Sequence, residues 1–291
     1  MRIYSWVQFK PPIDPFRLAK LSKNERRGYM FDLNTAKVLF LDKEYERAAE
    51  MFYEGATEGD AEAAFDYAYC LMNGYGVERD PTLAKSFYTF ASHRVGEASY
   101  NLAVMYLHGN GVKRNYKKVT EYMHDAAELG VIEAQLYLGV AYTLGSLFEP
   151  DIVSISLIPF HTPEYNTPGM YIEGEVPDYE ADEEARITAV RQDPVSAFSW
   201  FRIAAKHAPD YVEELSKKGK YLYARCFIDG LGTDFNLKRG NGLMLLAAAD
   251  GSEEALSYLQ TEAPYVLENL NDSRLMDQIR RVEGIAAPKE Y

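Results

Sequence analysis

The chain runs to 291 residues, 47% of them apolar, with 31 basic residues against 44 acidic ones and a formal net charge of −13. This is the composition of a folded protein, and a surface this negative repels phosphate backbones, so no nucleic-acid partner is expected. Two cysteines, Cys70 and Cys226, make no disulfide framework, which places the chain among cytoplasmic proteins.

Residues 1–40 read as an N-terminal capping segment. Their opening, MRIYSWVQFKPPIDP, lacks an apolar signal core and is ended early by Pro11-Pro12, so an ordered, strand-like lead-in is expected. Trp6, Phe9, Phe16, Tyr29 and Phe31 supply apolar cover for the first repeat.

From residue 41 the chain repeats itself. NGYGVERD (Asn73–Asp80) returns as HGNGVKRN (His108–Asn115) and DGLGTDFN (Asp229–Asn236), and a further copy starts at Gly145 and is interrupted. Three residues before each first glycine stand Leu71, Tyr106, Tyr142 and Phe227, all large. Six before stand Ala68, Ala103, Gly139 and Ala224, all small. Offsets of three and four share one helix face, where large residues fill space and a small one lets helices approach. A second helix comes next in register, with Ala84, Val119, Ala197 and Gly240 aligned, then Phe87, Tyr122, Trp200 and Leu243. An earlier half-copy, YERAAEMFYEGATEG, adds Ala48, Met51 and Gly55. The period is about 36 residues, and helix pairs of this length bury both faces only by stacking on neighbours.

The Gly-x-Gly turns therefore read as helix ends. Glycine accepts the left-handed conformation that closes the first helix, and Asp80, Asn115 or Asn236 starts the second. A dinucleotide fingerprint needs a preceding strand and a third glycine, and a phosphate loop needs Gly-Lys-Ser/Thr. Neither is present.

The combined pattern resembles the Sel-one-like repeat, a relative of the tetratricopeptide repeat. Its best copy is ASYNLAVMYLHGNGVKRNYKKVTEYMHDAAELG (Ala98–Gly130), with Ala64–Ser92, Ala134–Gly145 and Tyr221–Gly251 alongside. Thr233 and Gly240 stand where the pattern has valine and alanine. The resemblance covers residues 41–145 and 193–256. It implies an all-α protein, a right-handed α/α superhelical solenoid of about four to five helix-turn-helix repeats. It implies non-enzymatic work as a scaffold or adaptor that captures a partner protein or peptide on the concave face. Secreted members of the family carry a cysteine pair in each repeat; here Cys70 and Cys226 are single and read as buried small hydrophobes.

By analogy with the tetratricopeptide relative, groove positions fall one, five, nine and twelve residues before the glycine. They are Glu62, Phe65, Tyr69 and Asn73; Glu97, Tyr100, Val104 and His108; Glu133, Leu136, Val140 and Leu144; and Lys218, Tyr221, Arg225 and Asp229. Tyr69, Tyr100 and Tyr221 suit anchoring a peptide, having large area and a polar tip. Glu62, Glu97 and Glu133 form either an acidic track or first-turn anions against the helix dipole.

Residues 146–192 interrupt one repeat. EPDIVSISLIPFHTPEY alternates like a strand, half of a hairpin with GMYIEGEV, so this insertion is expected to be partly β or irregular. Its acidic run includes Glu173, Glu175 and Asp178, flanked by Tyr171 and Tyr179, and would meet a basic partner surface. Edge pairing of its strand would give a homodimer. Residues 257–291 read as C-terminal capping helices.

Catalytic and cofactor chemistry finds no support. The five histidines make no ligand spacing with cysteine or carboxylate, the acidic run lacks calcium-loop spacing, and no Gly-x-Ser-x-Gly elbow occurs. No cofactor or metal is expected. The longest uncharged, apolar-leaning run, Ala134 to Phe148, is shorter than the ~18 residues of a membrane span. A basic cluster at Lys113, Arg114, Lys117 and Lys118 reads as solvated surface. Two narrower alternatives remain open: a bacterial immunity or accessory protein that neutralises a toxin or effector, and an enzyme with its site between insertion and groove.

Overall fold

A computed structural model describes residues 32–147, 189–206 and 213–285. The N-terminal segment up to Phe31, most of the insertion with Tyr171, Glu173, Glu175, Asp178 and Tyr179, and the last six residues lie outside it. The chain divides into two compact units, one ending at Phe87 and the other beginning at Tyr88. Among the described residues all regular structure is helical.

The first unit holds α1 (Leu33–Leu41), α2 (Tyr45–Thr57), α3 (Ala61–Asn73) and the start of α4 (Pro81–Ala91). Asp32 and Asp60 cap α1 and α3, accepting from the amides of Asn34 and Ala63 at 3.2 and 2.9 Å. The helix interfaces are made by alanines with no exposure, Ala48, Ala49, Ala64 and Ala68, and by the fully buried Phe52.

The second unit continues with α5 (Gly96–His108), α6 (Tyr116–Glu128), α7 (Ile132–Leu144), α8 (Pro194–Lys206), α9 (Glu213–Asp229), α10 (Leu237–Ala249) and α11 (Glu253–Glu262). A 3₁₀ segment (Pro264–Asn269) and α12 (Ser273–Glu283) close it. Each helix packs on its successor from α5 to α6 and onward, α7 also packs on α9, and α12 packs on α10. First helices of successive repeats thus touch, which is how stacked hairpins share one core.

Four of the hairpin turns are built the same way, while the α1–α2 turn passes through Lys43 with φ of 64°. The first glycine ends the helix in the left-handed region, with φ of 75°, 74°, 73° and 68° at Gly74, Gly109, Gly145 and Gly230. The chain then folds back so that the amides of Asp80, Asn115, Asp193 and Asn236 donate to the carbonyls of Leu71, Tyr106, Tyr142 and Phe227, at 2.8 to 3.2 Å. Those four residues cap the next helix through their side chains. The split repeat obeys the pattern although 47 residues stand between Gly145 and Asp193. Leu147 and Val190, on either side of the excursion, are both buried in the core.

The second glycine does different work. A Cβ on Gly76 would stand 2.1 Å from the Tyr45 carbonyl oxygen, and one on Gly232 would stand 1.9 Å from that of Pro194. Each turn therefore seats its backbone directly on the start of the preceding repeat's second helix. A phosphate has no room there. Gly240, which replaces the expected alanine, lies where a Cβ would meet Ile228 at 2.5 Å, so α9 and α10 approach closely.

Candidate functional site: a cleft between α9 and α11

In the first unit, Glu62 is exposed and pairs with Lys37 of α1 at 3.2 Å. Tyr69 is half-buried beside the rings of Phe40 and Tyr75, at 6.3 and 6.0 Å, and burial pushes its hydroxyl far above the ordinary tyrosine value. Asn73 turns inward, donating from Nδ2 to the Tyr69 carbonyl at 2.9 Å. Asp66, one turn beyond Glu62, is 1% exposed. Burial raises its carboxyl well above the usual range, with Lys37 at 3.9 Å in opposition.

In the second unit, His108 is exposed and Glu97 and Glu133 are partly buried. Tyr100 is 1% exposed, and burial first, then Glu133, drives its hydroxyl pKa up. Its ring serves the interior of this chain and does not reach the surface as an anchor. Phe65 and Leu136, at the same repeat position, are also buried. The reason is tertiary: the first helix of an internal repeat packs against helices on several sides, so the position nine residues before the glycine closes into the core.

That column of residues changes character at the last repeat. Phe65, Leu136 and Ser257 each lie six residues after a glycine in the left-handed region, Gly59, Gly130 and Gly251. Serine on α11 thus stands where earlier repeats have phenylalanine, tyrosine or leucine. A cleft of about 780 Å³ lies between α9 and α11, with Ser257 on its wall. Tyr221, Arg225 and Asp229 line one side of it, while Lys218 lies partly buried on the same helix.

Opposite them stand Glu254, Ser257, Tyr258 and Glu262, with Glu253 at the start of the same helix. The cationic side is self-satisfied. Arg225 donates to both Asp229 carboxylate oxygens, at 2.9 and 3.1 Å, and to the Tyr221 hydroxyl at 3.3 Å. Burial would lower the Arg225 pKa, but these bonds outweigh it and hold the guanidinium charged. Burial, with Glu262 and Asp229 adding, raises the Tyr258 hydroxyl, which stays a neutral donor. Among the described residues, no cation pairs with Glu253, Glu254 or Glu262, so the cleft carries a net negative field.

Repeat spacing does not assign the α11 side to the groove, because EALSYLQ carries no later Gly-x-Gly to fix its register. A weaker signal is present: Gly251-Ser-Glu-Glu254 places a glutamate three residues after the glycine, as in Gly59 to Glu62 and Gly130 to Glu133. The helix also crosses the boundary expected at residue 256 between repeats and terminal cap.

Among the described residues, no three histidine, cysteine, aspartate or glutamate side chains gather as a metal site would require. Cys70 and Cys226 are buried and free; burial raises both thiols, that of Cys226 to about 12. No helix among the described residues is long and apolar enough to cross a membrane.

Helix hairpins in register and glycine-closed, each packed on the next within its unit, define a repeat protein of the α/α solenoid class. The Sel1 repeat model matches residues 61–94, 96–131, 132–153, 187–208 and 218–252, just over half of the chain, and the chain belongs to that family. Its fold is similar to that of a Sel1 repeat protein from Oxalobacter formigenes, at 17% identity and a TM-score of 0.58, with 85% of each chain covered. A weaker likeness, with a TM-score of 0.43 and 18% identity, links it to c5321, a protective antigen of uropathogenic Escherichia coli displaying an SLR fold; it covers 94% of this chain and 56% of that one. No curated protein sequence matches the chain. Sel1 repeat proteins are in general protein-interaction scaffolds, and the solenoid is typically non-enzymatic.

Proposed function

We propose that this chain is a non-enzymatic scaffold that holds a segment of a partner protein in the cleft between α9 and α11. The observation that carries the reading is the convergence of Tyr221, Arg225 and Asp229, on one helix face, with Tyr258 and the α11 carboxylates around about 780 Å³ of open space. Two tyrosines offer large contact area with polar tips, and the framework that presents them is rigid helix, so little ordering is needed on binding. The uncancelled charge favours a basic segment, presented as a short stretch of chain.

The reading is tested by placing a photocrosslinking amino acid at Ser257, inside the cleft, or at the outward-facing Lys117, in the full chain in its native cells. Ser257 is expected to yield one discrete adduct, whose partner is then identified by mass spectrometry, with none at Lys117. A discrete adduct at Lys117 alone, or none at either position, removes the cleft as the docking place.

A further inference from the structure

We propose that the α9–α11 cleft is a subsite for an arginine side chain of the partner's docked segment. This rests on the scaffold reading and specifies what the cleft recognises.

Arg225 looks at first like a receptor for a carboxylate. Three of its five N–H groups, on Nε, Nη2 and Nη1, already bond to Asp229 and Tyr221, so an incoming anion would have to displace a two-bond pair made within one helix or settle for the remaining Nη hydrogens beside a carboxylate that already neutralises the charge. The Arg225–Asp229 pair acts as a neutral wall. Glu253, Glu254 and Glu262 remain, spaced along one helix, and among the described residues only Glu254 has a donor, the Ser252 hydroxyl at 3.0 Å. The open space is therefore matched to a cation.

The choice among cations depends on the remaining walls. Tyr221 and Tyr258 give the cleft aromatic surface, and Ser257 and Thr261 give it small polar groups. A guanidinium is planar and weakly hydrated, stacks on a tyrosine ring and donates two parallel bonds to a carboxylate. An ammonium is a compact, strongly hydrated charge and gains less from a ring in an open cleft. Arginine is the better complement.

The test uses the full chain and fluorescein-labelled Gly/Ser decapeptides carrying two arginines, with lysine and citrulline versions as controls, read by fluorescence anisotropy. The arginine peptide is expected to bind saturably, the lysine peptide about threefold or more weaker, and the citrulline peptide, isosteric but neutral, not measurably. The Glu253→Gln/Glu254→Gln/Glu262→Gln variant, which keeps every side chain's shape, is expected to weaken binding about tenfold. Removing the same charge from the exposed Glu46, Glu50 and Glu58 of the first unit should leave binding unchanged, which separates local recognition from the overall −13 charge. Tyr258→Phe keeps the ring and should retain affinity; Tyr258→Ala should lose about threefold.

Equal binding of the citrulline peptide, or equal loss in the distant-charge variant, overturns the proposal. If a partner still crosslinks at Ser257 while no arginine peptide binds, the arginine subsite is wrong and the scaffold reading stands. If neither occurs, both fall.

Discussion

At the scale of single residues, the two glycines of the Gly74 and Gly230 turns recur for unlike reasons. Gly74 needs only its left-handed φ of 75°; the nearest atom to an added Cβ would be 3.6 Å away. Gly74→Ala should therefore cost about 1–2 kcal/mol, the strain of that conformation. Gly76→Ala and Gly232→Ala add a collision with a carbonyl oxygen, at 2.1 and 1.9 Å, and backbone must move. These should cost about 3 kcal/mol or more, since overpacking adds to the strain. Urea midpoints of the three variants test the ranking. If Gly232→Ala proves as mild as Gly74→Ala, the turn is not seated on α8 as described.

At the scale of elements, α12 shows how a stack of hairpins is closed. Its apolar side, with Met276 and Ile279, lies on the core, and its charges reach two other helices. Arg280 bonds to Asp250 at the end of α10, which also accepts from Lys220 of α9 at 2.6 Å. Glu283 takes both Nε and Nη2 of Arg239, each at 2.7 Å, and the Tyr223 hydroxyl at 3.1 Å. Asp250→Ala would leave Lys220, 6% exposed, without its carboxylate and Arg280, 14% exposed, with only the solvent-facing Asp277 at 3.6 Å, and should cost about 3 kcal/mol or more. Glu283→Ala should cost less, because the Arg239 side chain is 43% exposed and can turn to water. Thermal unfolding of the two variants side by side checks the order, and a reversed order would mean that burial does not govern these pairs.

For the whole molecule, the buried titratable groups set a window of stability. His124 of α6, half-buried with its Nε2 2.8 Å from the Tyr142 hydroxyl, has its pKa lowered from 6.5, by burial before all else. Its neutral form is the folded one, so its contribution is present above pH 6.5 and is lost as pH falls through the lower folded value. On the alkaline side, burial raises the Cys226 thiol from 9.0 and the Tyr223 hydroxyl from 10.0, each to about 12. Their contribution is present below the unfolded values and drains away as pH rises above about 9. From these three groups the urea midpoint should be flat between about pH 7 and 9 and fall on both sides, the acid fall being made shallower by Asp66, whose raised pKa stabilises the fold as pH drops. His124→Gln should flatten the acid limb, and an unchanged acid limb would assign it to other groups.

The sequence by itself determined the architecture and its register. Gly74, Gly109 and Gly145 at one period with Gly230 in register beyond the insertion, small residues such as Ala68 and Ala224 at the helix seam, and caps such as Asp80 and Asn236 are local chemistry. Local chemistry is written in spacing. The regularity even carried through the 47-residue interruption, because the Tyr142 carbonyl meets the Asp193 amide at 2.9 Å as if nothing intervened. Which groove positions stay open was decided only by tertiary structure. Tyr100 and Tyr221 occupy the same place in the repeat, yet one is sealed in the core and the other lines a cleft. The difference lies in the surroundings: Tyr100 is buried with Glu133 and Tyr137 of α7 close by, while Tyr221 lines an open space that it shares with the small side chain of Ser257. A repeat pattern specifies where a side chain points; its neighbour decides whether it meets solvent.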